Sequence, residues 1–433
     1  MEQFDVLVIG TGSGMNVASA AVGNGFRTAV VDNGPMGGTC INRGCVPSKM
    51  LIYPADVTAL IKEATKIGVN AAVNSVDFQN IMTRMHTLVR EDTGAQAHGV
   101  EETPNMKWFK GTGEFIGDYT LKVGDTTITA KKIFIVSGAR VGVPKVKGID
   151  KVAYLTSDTV LELEEPPKSL IIMGGGYIGV EYGHFFSGIG TKTTIIQRPP
   201  RILPEEETEI SDLLKLELQK RIDIFTGYEA VEVKQQGNAI VVVAKNRADG
   251  TLKEFTADAL MVATGRVPNS DLLKPQKTGV KLDERGYIKV NEYLETSKKN
   301  IYAFGDAIGK YMFKHVANYE AGLAWHNNVH DHKAKVDYTA APHAVFTHPQ
   351  VASVGLKEAE AKQGHKILVG TALYKDTAMG AAMGEPVGFV KVIVEQETFK
   401  ILGGHIIGPE ASMLVQEIVN AMNTEEKTFA SII

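Results

Sequence analysis

Cysteine is nearly missing from this sequence: two occur in 433 residues, at positions 40 and 45. A chain of that length is too long for one core, so two or three domains are expected. Two cysteines exclude the dense disulfide framework that staples small secreted domains. A loop closed between two such near neighbours would contribute only about 2 kcal/mol even on the chain-entropy model. Two thiols without a nearby histidine also make a poor zinc site, and no metal is expected. A reversible dithiol is the reading that remains.

An excess of basic charge is lacking too. Lys and Arg number 46 against 50 Asp and Glu, a net charge of −4, which gives no positive field for nucleic acid or an anionic membrane. No apolar stretch approaches the length of a membrane span. The start, Met1-Glu2-Gln3-Phe4-Asp5, lacks the basic-then-apolar pattern of a signal peptide. The expected setting is therefore cytoplasmic, with neither nucleic acid nor membrane as a partner.

Glycine, by contrast, is abundant, at 44 residues, and many of these mark turns of one kind. Phe4 to Ile9 is a short apolar run of the sort that makes a buried parallel strand. It leads into Gly10-Thr11-Gly12-Ser13-Gly14, then a small-residue stretch that reads as a helix, then a second apolar run ending at Asp32. Strand, glycine turn, helix, strand, acid is the dinucleotide-binding βαβ unit. Gly10 permits the tight turn, Gly12 lets backbone N–H groups approach a pyrophosphate at the helix N-terminus, and Asp32 is placed for a ribose diol. The third glycine of the pattern is replaced by Met15, with Gly14 beside it to relieve the helix–strand contact.

The pattern recurs after the apolar run Ser169 to Met173, where Gly174, Gly176 and Gly179 complete G-x-G-x-x-G. A second such unit implies a second dinucleotide. At the end of its next strand, Thr193 to Ile196, stand Gln197 and Arg198 rather than an acid. An acid there would bind a ribose 2′-hydroxyl and an arginine a 2′-phosphate, so NADPH is expected over NADH by a small margin.

Directly after the first unit comes Gly37-Gly38-Thr39-Cys40-Ile41-Asn42-Arg43-Gly44-Cys45-Val46-Pro47-Ser48-Lys49. This segment resembles the class I pyridine nucleotide–disulfide oxidoreductases, with their GGTC-x4-C-x-P-S/T-K pattern, a family that includes dihydrolipoamide dehydrogenase and the glutathione, mycothione and mercuric reductases. The resemblance implies FAD on the first unit and a nicotinamide nucleotide on the second. It implies that Cys45 is the flavin-side thiolate, that Cys40 is the interchange thiol, and that Lys49 pairs with Glu181 near flavin N5. Gly38 and Thr39 would then adjoin the flavin, Tyr177 would gate the nicotinamide face, and Ile178 would lie in the same turn. Four intervening residues let the two thiols close a disulfide, pictured on one turn of helix, and a thiolate attacks only when its pKa is lowered.

Further segments match in the family's order. Ile135-Val136-Ser137-Gly138-Ala139-Arg140 and Met261-Val262-Ala263-Thr264-Gly265-Arg266 resemble its closing turns, making Ser137, Gly138, Gly265 and Arg266 candidate cofactor contacts. Asn300 to Ala307 resembles a second FAD fingerprint that delivers Gly305 and Asp306, and His315-Val316-Ala317 begins the helix beneath the flavin. Pro342 to Gly355 and Gly403 to Ser412 resemble the interface domain of a homodimer. The fold expected is α/β: two Rossmann-like domains, for FAD and NAD(P), with a C-terminal α+β dimerisation domain. Its segments are 1–149 (FAD), 150–268 (NAD(P)), 269–336 (FAD again) and 337–433 (interface).

The family's H-x-H-P-T-x-S-E motif, whose histidine shuttles protons across the dimer, would begin where Phe429-Ala430-Ser431-Ile432-Ile433 stands. The expectation is that the interface domain is truncated there. If the histidine were truly absent, about 10²–10⁴-fold of general acid–base help would go with it. His315 and Glu320 have the family's spacing but fall in the flavin-side helix, and His348 reads as a turn residue. The function implied is electron transfer between NAD(P)H, FAD and the Cys40–Cys45 disulfide to a small or protein-bound disulfide or dithiol, dihydrolipoamide dehydrogenase-like first. Mycothione or other low-molecular-weight disulfide reduction and mercuric reduction are the alternatives, and a redox-sensing or scaffold flavoprotein is the reading from another class.

Overall fold

Short apolar runs closed by glycine turns become parallel sheets in a computed structural model that describes residues 1–384 and 386–432. Contacts divide the chain into two units, the first made of Met1–Pro47, Arg84–Gly142 and Arg266–Asp337. There the strand Glu2–Ile9 pairs in parallel with Thr28–Asp32, from Val6 opposite Thr28 to Ile9 opposite Val31. Met106–Lys110 extends the sheet on one side. Thr126–Ile135 and then Ile301–Ala303 extend it on the other. The last strand returns from a distant stretch of chain, so residues near 305 arrive beside the first glycine turn's sheet. An antiparallel pair, Gly113–Gly117 with Thr120–Val123, completes the sheet.

Val6, Leu7 and Val8 are all fully buried, because helices cover both faces of a parallel sheet and leave no polar side. Helix Gly14–Gly23 buries Val17, Ala18 and Ala21, and helix Lys314–Val329 buries Ala321 and Ala324 in the same core. Each buried Val, Leu or Phe contributes about 1.5–3 kcal/mol of transfer free energy. The strand C-termini at Ile9, Asp32, Ile135 and Ala303 share one edge, which is where open parallel sheets bind ligands.

The second unit comprises Ser48–Thr83, Val143–Gly265 and Tyr338 onward. Its parallel sheet runs Asp223–Thr226, Lys192–Gln197, Ser169–Met173, Ala259–Val262, with helix Tyr177–Gly188 following the third of these in space. A three-stranded antiparallel sheet, Tyr228–Gln236, Ala239–Asn246 and Leu252–Ala257, shares its core. The C-terminal part is a five-stranded antiparallel sheet ordered Pro342–Val345, Gln350–Gly355, Ile401–Gly408, Phe389–Glu395, Ile367–Leu373. Helix Ala411–Met422 closes its face with Val415, Ile418 and Met422. The architecture is thus the expected α/β pair of Rossmann-like domains with an α+β third. Among the described residues no helix is long and apolar enough to cross a membrane.

Candidate active site

The two glycine turns are built alike. Gly10 has φ 115° and Gly174 φ 113°, a region that side chains other than hydrogen rarely enter. A Cβ on Gly10 would overlap the Val136 carbonyl oxygen, and one on Gly174 would overlap that of Ala263. Gly176 caps the helix Tyr177–Gly188, and a Cβ on Gly179 would strike the Gly174 oxygen. The first turn solves that crowding differently. Its helix begins at Gly14, whose missing Cβ would stand 2.8 Å from Val8 Cγ1, so Met15 falls past the tight spot and packs on the core.

Around the first turn lies a cavity of about 470 Å³ lined by Gly12, Met15, Gly37, Ile41, Lys314 and Asn318, among others. Gly38 (φ 62°) closes against Gly12, with room for no Cβ: one would sit 2.7 Å from Gly12 Cα. Asp32 accepts hydrogen bonds from Thr11 N and Thr11 Oγ1, both at 2.7 Å, and from Gly34 N at 2.8 Å. The acid expected to face a ribose therefore also braces the turn. Asp306 is a half-buried carboxylate whose desolvation raises its pKa, offset in part by Arg266 Nε at 3.5 Å. Arg266 also donates to the Ala139 carbonyl, and Gly265 just before it has φ 121°. Gly138 takes φ 65°, and the Ser137 hydroxyl is buried with no partner among the described residues. Ala317 packs 3.3 Å from where a Gly305 Cβ would be. A glycine cradle with a buried, partnerless hydroxyl beside a half-buried carboxylate fits a bound flavin dinucleotide, whose phosphates would accept from the turn's N–H groups and whose hydroxyls would donate to the carboxylate.

The thiols meet across a break in the helix. Cys40 lies in helix Gly38–Arg43, and Cys45 opens the next, Cys45–Glu63. The sequence suggested one continuous turn. Gly44 interrupts it instead (φ −126°, ψ −115°), in a spot where a Cβ would stand 2.9 Å from the Thr39 oxygen and 3.1 Å from Cys40 Cα. Asn42 secures the segment, donating to the Met36 and Gly38 carbonyls at 2.8 and 2.9 Å and accepting from Thr93 Oγ1 at 2.9 Å. Cys40 is half-buried and Cys45 exposed. The hydrogen bond between the two sulfurs, then burial, push the Cys40 thiol well up, while the Lys314 charge works against them. Lys314, which sequence reasoning missed, donates to Ser13 Oγ at 3.2 Å, and Ser13 donates on to Asn318 Oδ1 at 2.9 Å. Burial lowers its own pKa, and both cysteines oppose that shift. Its only sequence signal was a cation at the first position of the helix that starts His315-Val316-Ala317.

In the second unit Lys49 Nζ donates to Glu181 Oε2 at 2.9 Å, the pairing that the resemblance implies. Glu181 Oε1 accepts from Phe346 N at 3.0 Å, and Lys49 Nζ sits 4.3 Å over the Phe346 ring. Tyr177 Oη donates to Glu206 Oε1 at 3.3 Å, and Ile178 follows it on the helix. Glu206 also receives His343 Nε2 and Ser353 Oγ, both at 2.6 Å. Phe346, Glu206 and His343 were not singled out in the sequence. At the strand end Gln197 Oε1 accepts from Gly175 N at 2.8 Å, so a neutral amide fills the acid's place. Arg198 is largely exposed, 3.8 Å from Glu229, and Arg201 is engaged by Asp212 at 2.8 Å. Glu320 is buried, and its Oε2 accepts from Gly305 N at 2.7 Å. His348 lies between two strands, its carbonyl on Arg221. Among the described residues no cluster of three or more His, Cys, Asp or Glu side chains could hold a metal ion.

Residues 4–321 match the pyridine nucleotide-disulphide oxidoreductase family, and residues 341–430 match that family's dimerisation domain. Similar proteins include mercuric reductase of Lysinibacillus sphaericus, 33% identical over 96% of this chain and 76% of that protein. Mycothione reductase of Mycobacterium tuberculosis is 34% identical over 98% and 93%. Dihydrolipoyl dehydrogenase of Chlamydia muridarum is 33% identical over 98% and 91%. Among solved structures, the Cu(II) complex of the HOCl-induced flavoprotein disulfide reductase RclA from Escherichia coli superposes with a TM-score of 0.89 at 28% identity, covering 99% of this chain and 95% of that one.

Proposed function

We infer the reaction from one premise: the chain belongs to the pyridine nucleotide-disulphide oxidoreductase family, whose members depend on FAD and take electrons from NAD(P)H. The reading is a homodimeric reductase that passes two electrons from NAD(P)H to a disulfide through Cys40 and Cys45, dihydrolipoamide dehydrogenase-like in substrate class. The observation that carries it is the hydrogen-bonded thiol pair with the Lys314 charge acting on both sulfurs. Bound flavin supplies the two-electron relay between nicotinamide and the thiols.

The rest is work for the protein's own side chains. Cys40 attacks one sulfur of the substrate disulfide as its own proton passes to the departing sulfur, expelling one thiol and leaving a mixed disulfide. Cys45 then attacks Cys40 Sγ, releases the second thiol and closes Cys40–Cys45, and two electrons restore the dithiol. Net, NAD(P)H, one proton and the disulfide become NAD(P)⁺ and two thiols. Gly10, Gly12, Gly14, Asp32, Gly38, Thr39, Ser137, Gly138, Gly305, Asp306, Arg266 and the His315-Val316-Ala317 turn would hold the flavin. Gly174, Gly176, Tyr177, Ile178, Gly179, Gly265 and Arg198 would hold the nicotinamide nucleotide, and Lys49 and Glu181 pair within the same unit.

Turnover of lipoamide, mycothione disulfide, glutathione disulfide and Hg(II), each with NADH and NADPH, tests this directly. The lipoamide couple is expected to give the highest kcat/KM. A flavin that NAD(P)H reduces, with no turnover of any of these, would favour the sensor or scaffold reading instead. For the nucleotide, Arg198→Ala is expected to raise the NADPH KM about tenfold, the loss of one charge-assisted phosphate contact, and to leave that for NADH unchanged. Equal effects on both nucleotides would remove the basis for an NADPH preference.

A further inference from the structure

Three donors converge on one buried carboxylate in the second unit. The Glu206 side chain is 1% exposed. Tyr177 Oη reaches it from the glycine-turn helix, while His343 Nε2 and Ser353 Oγ reach it from the two strands Pro342–Val345 and Gln350–Gly355. Burial by itself would raise the pKa of Glu206, but the bonds from His343 and Ser353 hold it below the usual carboxylate range, so it stays ionised. Burial and that same charge push the Tyr177 phenol up, so its hydroxyl keeps its proton and donates. A carboxylate can only accept, which puts a proton on His343 Nε2 as well. The His343 ring also lies against Tyr177, with centroids 5.7 Å apart.

We propose that Glu206, anchored by His343 and Ser353, is a positioning residue that ties the Tyr177 ring in its resting place and thereby weakens nicotinamide binding. The proposal rests on the reading of the Gly174–Gly179 turn as the nicotinamide nucleotide site with Tyr177 at its mouth. A ring that must move to admit the nicotinamide has to break a bond to a charged, immobile acceptor. Two residues of the dimerisation domain, 137 and 147 positions from Glu206 in sequence, hold that acceptor rigid. The same strand leads into Phe346, whose N–H fixes Glu181, so one segment supports both the gate and the Lys49–Glu181 pair.

The test is a double-mutant cycle on the flavin-loaded protein, reading the dissociation constant of NADP⁺ and NAD⁺ by calorimetry. Tyr177→Phe removes one oxygen and keeps the ring, so folding is not at issue. Tyr177→Phe and Glu206→Gln are each expected to tighten nucleotide binding by about fivefold to tenfold, and the double variant to bind no tighter than either single one. Weaker or unchanged binding by Tyr177→Phe, or effects that add in the double variant, would overturn the tie while leaving the nucleotide site intact. A wild-type protein that binds neither nucleotide would overturn the site reading itself, and the tie with it.

Discussion

Exchanging Cys45 for serine is expected to lower NAD(P)H-dependent disulfide turnover by at least about 10³-fold, with flavin content and thermal midpoint close to wild type. The reason is chemical. A serine hydroxyl cannot close a disulfide with Cys40, so the mixed disulfide has no second sulfur to resolve it. Cys45 is exposed, and exchanging sulfur for oxygen at the first residue of a helix disturbs no core packing. Cys40→Ser is expected to be equally inactive, for lack of the thiol that attacks. Reduction of an acceptor that takes electrons directly from the flavin should survive in both variants. A Cys45→Ser protein that still turned over its disulfide within tenfold of wild type would mean that the thiol pair is not the route.

The second large effect separates the two nucleotides. Gly10→Ala and Gly179→Ala each add one methyl group where the structure has a carbonyl oxygen, that of Val136 in one case and of Gly174 in the other. At Gly10 the backbone is also in the left-handed region. Relieving such overlap moves a turn whose N–H groups would hold a pyrophosphate, at a cost of about 3 kcal/mol, or roughly 100-fold in affinity. Gly10→Ala is expected to purify with little flavin. Gly179→Ala should keep its flavin and lose NAD(P)H affinity by about that factor, measured by flavin absorbance and nucleotide titration. Loss of flavin from Gly179→Ala instead would show that the assignment of the two turns is wrong.

The glycine turns were legible because their information is local. A strand, Gly10, Gly12 and Asp32 fall within one βαβ unit, and sterics at Gly10 and Gly174 allow no other residue. The Lys49–Glu181 pair spans 132 positions and was reached only through the family resemblance. What could not be read were contacts that depend on packing. Gly44 looks like any loop glycine until the close approach of Thr39 and Cys40 is seen. Gly14 takes over from the pattern's third glycine because its own Cβ would stand 2.8 Å from Val8 Cγ1. Lys314 belongs to no motif, yet it lines the first cavity. Glu206, His343 and Ser353 carry no motif, since a carboxylate with three donors is defined by where strands land.

Whether electrons reach Cys40 and Cys45 is measured most directly by anaerobic titration of the flavin-loaded protein with NAD(P)H. One equivalent is expected to produce a long-wavelength thiolate-to-flavin charge-transfer band, which Cys45→Ser abolishes. Flavin bleaching without that band in the wild-type protein, or the same band in Cys45→Ser, would contradict it.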